Sequence, residues 1–132
     1  MSNCVLYAAN KQSQSFVAAG TVVNFGQPVH GYGNAIVLSG GNAVLNCQGY
    51  FAVIANVSFT ATTGGTITIQ LYKDGVAIPG AQATVIAVAN GGYAVAVPAI
   101  LRQKCCCESV ITAEISGATG TVTNAAIVVG KT

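Results

Sequence analysis

Between Gly49 and Ala61 the chain reads GYFAVIANVSFTA, and this alternation restricts the fold more than any other feature. Phe51, Val53, Ala55, Val57 and Phe59 recur at every second position, with Tyr50, Ala52, Ile54, Asn56 and Ser58 between them. Successive side chains of an extended strand point to opposite faces, so a period of two gathers the first set on one side. A helix, at 3.6 residues per turn, would scatter them. The same period returns in TITIQLY, where Ile67, Ile69 and Leu71 oppose Thr66, Thr68 and Gln70. It returns again in ESVITAEIS, where Ile111, Ala113 and Ile115 oppose Val110, Thr112 and Glu114.

Turn signals separate these runs. Thr63-Gly64-Gly65 precedes TITIQLY, and Lys73-Asp74-Gly75 follows it as a hairpin, because an Asp-Gly pair tolerates the positive φ of a tight turn. VAIPG reads as a short strand ended by Pro79, followed by ATVIAVA, a turn at Asn90-Gly91-Gly92, and YAVAV. Gly117-Ala118-Thr119-Gly120 leads into TVTNAAIVVGK. The first half offers shorter candidates, VLYAA, TVVNF, AIVLS and AVLNC, and no segment has helical spacing. Many short strands with closely spaced turns predict a single all-β sandwich or barrel of 132 residues. Residues 1–20 differ in composition: polar NKQSQS lies between VLYAA and FVAAG. That segment reads as an amino-terminal arm able to add a strand to a neighbour or grip a scaffold, leaving 21–132 as the sandwich.

Charge sharpens the reading. Asp, Glu, Lys and Arg make up 6% of the chain, against about 25% in typical soluble domains. A net charge of +2 supplies little repulsion between copies, so the sequence predicts that much of the surface lies against other protein. Five scattered Lys and Arg residues form no basic patch for nucleic acid. Residues 75–101 carry no charge, yet Pro79, Gly80, Asn90, Gly91, Gly92 and Pro98 interrupt them, which argues against membrane insertion. MSNCVLYAANKQ has neither a basic start nor a long apolar run. The expectation is therefore synthesis in the cytoplasm without a signal peptide. An external surface would then be reached by assembly or lysis.

Three elements carry a resemblance: Gly49–Val53 (GYFAV), the hairpin LYKDGVAIPG over Leu71–Gly80, and the last strand NAAIVVGKT. Together they resemble the compact jelly roll of the tumour-necrosis-factor and complement-head type, in its bacterial and phage branch. That branch includes globular tips of collagen-like spore-surface proteins. The likeness spans roughly residues 20–132 by spacing more than by identity. It implies a tight homotrimer about a threefold axis, with the last strand in the middle of one sheet and no catalytic residues. Two features depart from the pattern: residues 1–20 hold no Gly-x-y repeat of a stalk, and KCCCES replaces the usual Gly-Asp turn.

That segment holds three of the five cysteines, Cys105, Cys106 and Cys107, the others being Cys4 and Cys47. An odd number leaves at least one thiol free or paired between chains. In a strand, Cys105 and Cys107 would share a face, and neighbours on one chain are badly placed for a disulfide. One CCC run and a single distant histidine lack the spacing of a zinc site. Three readings stay open. The cysteines pack as small apolar residues, three copies of one meet on an axis as a cross-link or metal contact, or Cys4 staples a neighbour.

Other reactive groups are few. His30 falls in QPVHGYG, which reads as a loop. A Ser-His-Asp relay would need His30 beside Asp74, which the hairpin turn already employs. Arg102 and Lys104 could neutralise Glu108 locally or join a network between subunits, and Glu114 sits in a strand. Glycine pairs at 40–41, 64–65 and 91–92 are turns without a following helix, so no phosphate cradle is expected. Tyr50 and Tyr93 either line a subunit interface or pack in the core.

The sequence therefore predicts an all-β, compact jelly-roll β-sandwich, tumour-necrosis-factor-like and trimeric, with no enzymatic activity and no cofactor. It would serve as a structural or attachment module of a phage virion (head decoration, head fibre or fibre tip) or of a bacterial spore surface. Its partners would be copies of itself and capsid or surface-layer proteins, with loops 27–34, 60–65 and 89–92 facing outward or toward a partner. The alternative is a receptor- or carbohydrate-binding head using its loop tips.

Overall fold

The computed structural model describes residues 5–33, 36–103 and 108–131. Strands in chain order are β1 (Val5–Asn10), β2 (Gln14–Phe16), β3 (Thr21–Val22), β4 (Gln27–Tyr32), β5 (Ile36–Ser39) and β6 (Asn42–Leu45). They continue with β7 (Gly49–Ala61), β8 (Gly65–Lys73), β9 (Val76–Ala87), β10 (Gly92–Gln103), β11 (Ser109–Ser116) and β12 (Gly120–Lys131). One sheet has the order β10-β7-β12-β1-β4 with β2 also on β12, and the other β5-β6-β11-β8-β9 with β3 also on β11. Among the described residues the strands pair antiparallel. From β6 onward most connections cross between sheets, the β8–β9 hairpin excepted. The result is a jelly-roll sandwich, with β12 in the middle of its sheet.

The alternating faces meet where the sequence places them. Phe51, Val53, Ala55, Val57 and Phe59 are buried against Ile67, Ile69 and Leu71 of β8 and Ile111, Ala113 and Ile115 of β11. Phe16 reaches the same core and meets Phe59 edge to face, ring centroids 5.8 Å apart at 89°. The Asp74-Gly75 hairpin forms, with φ of 52° and 81° at its two residues. Asp74 Oδ1 also accepts from Val110 N–H at 2.9 Å, and Asp74 N–H donates to Val110 O at 2.9 Å. A side chain thus locks the hairpin to the neighbouring strand.

Four local readings change. Pro79 does not end a strand: β9 runs through it, and a register shift opposite Gln70 and Tyr72 takes up Pro79 and Gly80 (φ 80°). Gln70 Nε2 fills that irregularity by donating to Leu71 O and Ile78 O at 2.8 and 2.9 Å. The strand begun by YAVAV likewise continues through Pro98 to Gln103. Both prolines lie on edge strands, β9 and β10, whose outward-facing N–H groups have no ladder partner to lose. Residues 27–32, expected as a loop, form edge strand β4 on β1. The segment set apart as an arm supplies β1 and β2 to its own sheet, with Leu6, Ala8 and Phe16 buried.

Strand ends gather at two poles. At one, Thr62 and Thr63 N–H donate to Thr119 O at 2.8 and 3.2 Å, and Asn90 N–H donates to Ala61 O at 2.7 Å. Gly117 (φ 105°) sits there against the carbonyl of Thr66, where a Cβ has no room. No charged side chain occurs in the turns at 61–65, 88–92 and 117–120 of this pole. The other pole holds Lys73, Asp74, Arg102, Glu108 and Lys131 at or beside strand ends. Among the described residues no helix is long and apolar enough to cross a membrane.

Candidate functional site

The outward face of the β10-β7-β12-β1-β4 sheet is built from the residues alternating with the core set. The register lines up Tyr32, Val5, Gly130, Ala52 and Ile100 in one row across five strands. The next row is His30, Tyr7, Val128, Ile54 and Pro98, and a third holds Gln27, Ala9, Ala126, Asn56 and Ala96. Apart from His30 these rows contain no ionisable group other than tyrosine. Ile100 is 73% exposed, Tyr32 69% and Ile54 43%. Strands about 4.8 Å apart and rows about 6.7 Å apart sketch a patch on the order of 480 Å². That lies toward the upper end of what monomers leave to water.

Tyr50 and Arg102 border this face. They are paired across β7 and β10, the guanidinium carbon 5.9 Å from the Tyr50 ring centroid, a cation–π contact. Tyr93 is placed differently. Its hydroxyl accepts from Val88 N–H at 2.9 Å, and its half-buried ring stacks at a tilt on Phe59 with centroids 5.7 Å apart. Ring and hydroxyl are engaged within its own turn and core.

Cys4, Cys105, Cys106 and Cys107 lie outside the described residues. Cys47 is half-buried and free, with Lys131 Nζ 3.6 Å from its sulfur. His30 stands exposed on edge strand β4, whereas Asp74 lies in the hairpin entering edge strand β9 of the other sheet. The two belong to no relay. Ser109 Oγ donates to Gln103 Oε1 at 2.9 Å, a buried polar pair at the strand ends flanking the cysteine segment. Among the described residues no three of His, Cys, Asp and Glu converge as a metal site would require.

A second surface feature has no counterpart in the sequence reading. A cleft of about 480 Å³ opens where residues 9–12, 24–28 and 38–41 converge, lined by Asn10, Lys11, Gln12, Gln27, Pro28 and Leu38 among others. The density of Asn and Gln in NKQSQ and NFGQP was the available signal. Nothing local shows that these stretches meet.

Comparison with known proteins agrees with the geometry. No protein-family model matches the sequence, and no curated protein matches it. Solved structures do. The crystal structure of murine APRIL at pH 5.0 superposes with a TM-score of 0.79 at 14% identity, covering 99% of this chain and 100% of that one. The Eiger TNF structure from S. frugiperda gives 0.73 at 11% identity, over 98% and 91% of the two chains. The globular domain of zebrafish complement 1qA gives 0.63 at 10% identity, over 96% and 94%. The chain therefore has the jelly-roll sandwich fold of the TNF-like and complement-head structures.

Proposed function

We propose that the chain is one protomer of a homotrimeric, non-enzymatic head that serves as a structural or attachment module. The observation that carries this reading is the apolar outward face of the β10-β7-β12-β1-β4 sheet. A chain with 6% charged residues leaves two mostly apolar rows of Tyr, Val, Ile, Ala and Pro, with one Gly and His30, uncovered, and copies of itself are the simplest cover. The jelly-roll likeness supports a threefold arrangement. The charge-free pole supports burial against a larger assembly, with the charged pole in solvent. A phage virion (head decoration, head fibre or fibre tip) or a bacterial spore surface is the setting such a module fits, with capsid or surface-layer proteins as partners.

Light scattering coupled to size exclusion tests the assembly: the expected mass is three times the 13.2 kDa of the chain. A monodisperse single-chain mass at micromolar concentration refutes it. Attachment is tested with capsids stripped of small surface proteins, which the added protein should bind and protect against heat. A second reading, a receptor- or carbohydrate-binding head, is favoured by the polar cleft.

A further inference from the structure

The cleft between β1, β4 and the β5–β6 hairpin has a fixed floor and an open rim. Asn24 anchors the floor: its N–H donates to Gln14 Oε1 at 2.8 Å, and its carbonyl accepts Gln14 Nε2 at 2.7 Å and Asn10 Nδ2 at 3.1 Å. Its side-chain oxygen accepts Gly26 N–H at 2.7 Å, while Asn10 Oδ1 accepts Gln12 N–H at 2.9 Å. These bonds engage most of the floor's polar groups and set the backbone that carries the rim.

The rim is unspent. The side chains of Lys11, Gln12 and Gln27 make no hydrogen bond among the described residues, and all three are exposed. Pro28 and Leu38 add apolar wall, and nothing beyond Gly40 and its two chain neighbours lies within 4 Å of the position a Cβ would take there. No Asp or Glu lines the cleft. Each primary amide both donates and accepts, which matches the hydroxyl groups of a sugar. The apolar wall suits a sugar's C–H face. One ammonium with no carboxylate beside it favours a single negative charge and disfavours cations.

We propose that this cleft binds a monoanionic sugar, a residue of the uronic- or sialic-acid class, with Lys11 on the carboxylate and Gln12 and Gln27 on the hydroxyls. The volume, about 480 Å³, accommodates one or two sugar rings. The proposal rests on the binding-head reading and names its site and ligand class.

The experiment is a titration of the ¹⁵N-labelled full chain, in its native oligomer, with sodium glucuronate and N-acetylneuraminate. Glucuronate methyl ester serves as the uncharged contrast. Saturable amide shifts confined to residues 9–12, 24–28 and 38–41 are expected, about tenfold weaker for the ester and for Lys11→Gln. Gln27→Ala is expected to weaken binding while leaving shifts elsewhere unchanged, showing that the fold persists. Sialyllactose distinguishes sources: tighter binding than the free acid assigns a glycan end, and equal binding assigns the free sugar, the acid being recognised in both cases. Absence of saturable shifts, or equal binding of acid and ester, overturns the proposal. Shifts confined to loops 60–65 or 89–92 overturn the cleft while preserving the binding-head reading, and the oligomer mass is measured independently of both.

Discussion

Ile54 sits at the centre of the apolar face, between Val128 on β12 and Pro98 on β10, and 43% of it remains exposed in the single chain. Replacing it by lysine therefore perturbs the assembly more than the fold. Full burial of an isoleucine stabilises by about 1.5–3 kcal/mol, so covering the exposed part contributes about 1 kcal/mol. Placing an ammonium in a protein interface adds several kcal/mol of desolvation. A net loss of about 3 kcal/mol per copy becomes about 9 kcal/mol for three copies, or between six and seven orders of magnitude in the trimer dissociation constant. That constant has units of concentration squared, so the midpoint for dissociation rises by its square root, about three orders of magnitude. Ile54→Lys should thus run as a trimer only at far higher concentration, with single-chain stability changed by no more than about 1 kcal/mol. Ile86→Lys is the control: Ile86 is 82% exposed on β9, paired with Thr66 of β8 in the other sheet, and should leave the mass unchanged. Light scattering over a dilution series reads both. A trimeric Ile54→Lys beside a dissociated Ile86→Lys would place self-association on the other sheet and refute the reasoning.

Phe59→Ala should destabilise by about 3–5 kcal/mol in urea unfolding, because it leaves a cavity and removes ring contacts with Phe16 and Tyr93. Gly117→Ala should cost more than about 2 kcal/mol, since its φ of 105° and the Thr66 carbonyl leave no room for a Cβ, whereas Gly40→Ala, facing open space, should cost about 1 kcal/mol. Asp74→Ala should lose about 1–2 kcal/mol with its bond to Val110 N–H, and Asp74→Asn should recover most of it in the same melts by keeping both the acceptor and the positive φ. Thiol titration of the denatured chain should return five thiols with and without reductant, the result expected if the cysteines serve as apolar packing. Fewer thiols without reductant would show a cross-link.

The legible parts of the fold share one cause. Phe51 to Phe59, Ile67 to Leu71 and Ile111 to Ile115 announce their buried faces because alternation follows from the geometry of a single extended strand. Asp74-Gly75 announces its turn because the required φ angles are a property of two residues. The misread parts depend on neighbours. Pro79 and Pro98 signal breaks to local reasoning, yet each lies on a sheet edge, and edge position is decided by which strands pair. Gln27–Tyr32, with glycine, histidine and proline and no buried face, becomes a strand because β1 supplies the ladder. Tyr50 lies at the margin of the exposed face, but Tyr93 is held by Phe59 and Val88 N–H, a difference that alternation alone does not show.

By itself the sequence determined the strand period, the core side of each long strand, the tight hairpin and the scarcity of charge. Only the tertiary structure decided the order of strands in each sheet, the assembly of two apolar rows across five strands, and the meeting of three distant polar segments in one cleft. Side-chain direction is set by bonds within a residue or two. Strand partnership is set by burial that must outweigh the entropy of closing long loops, and that balance is struck only when the whole chain packs.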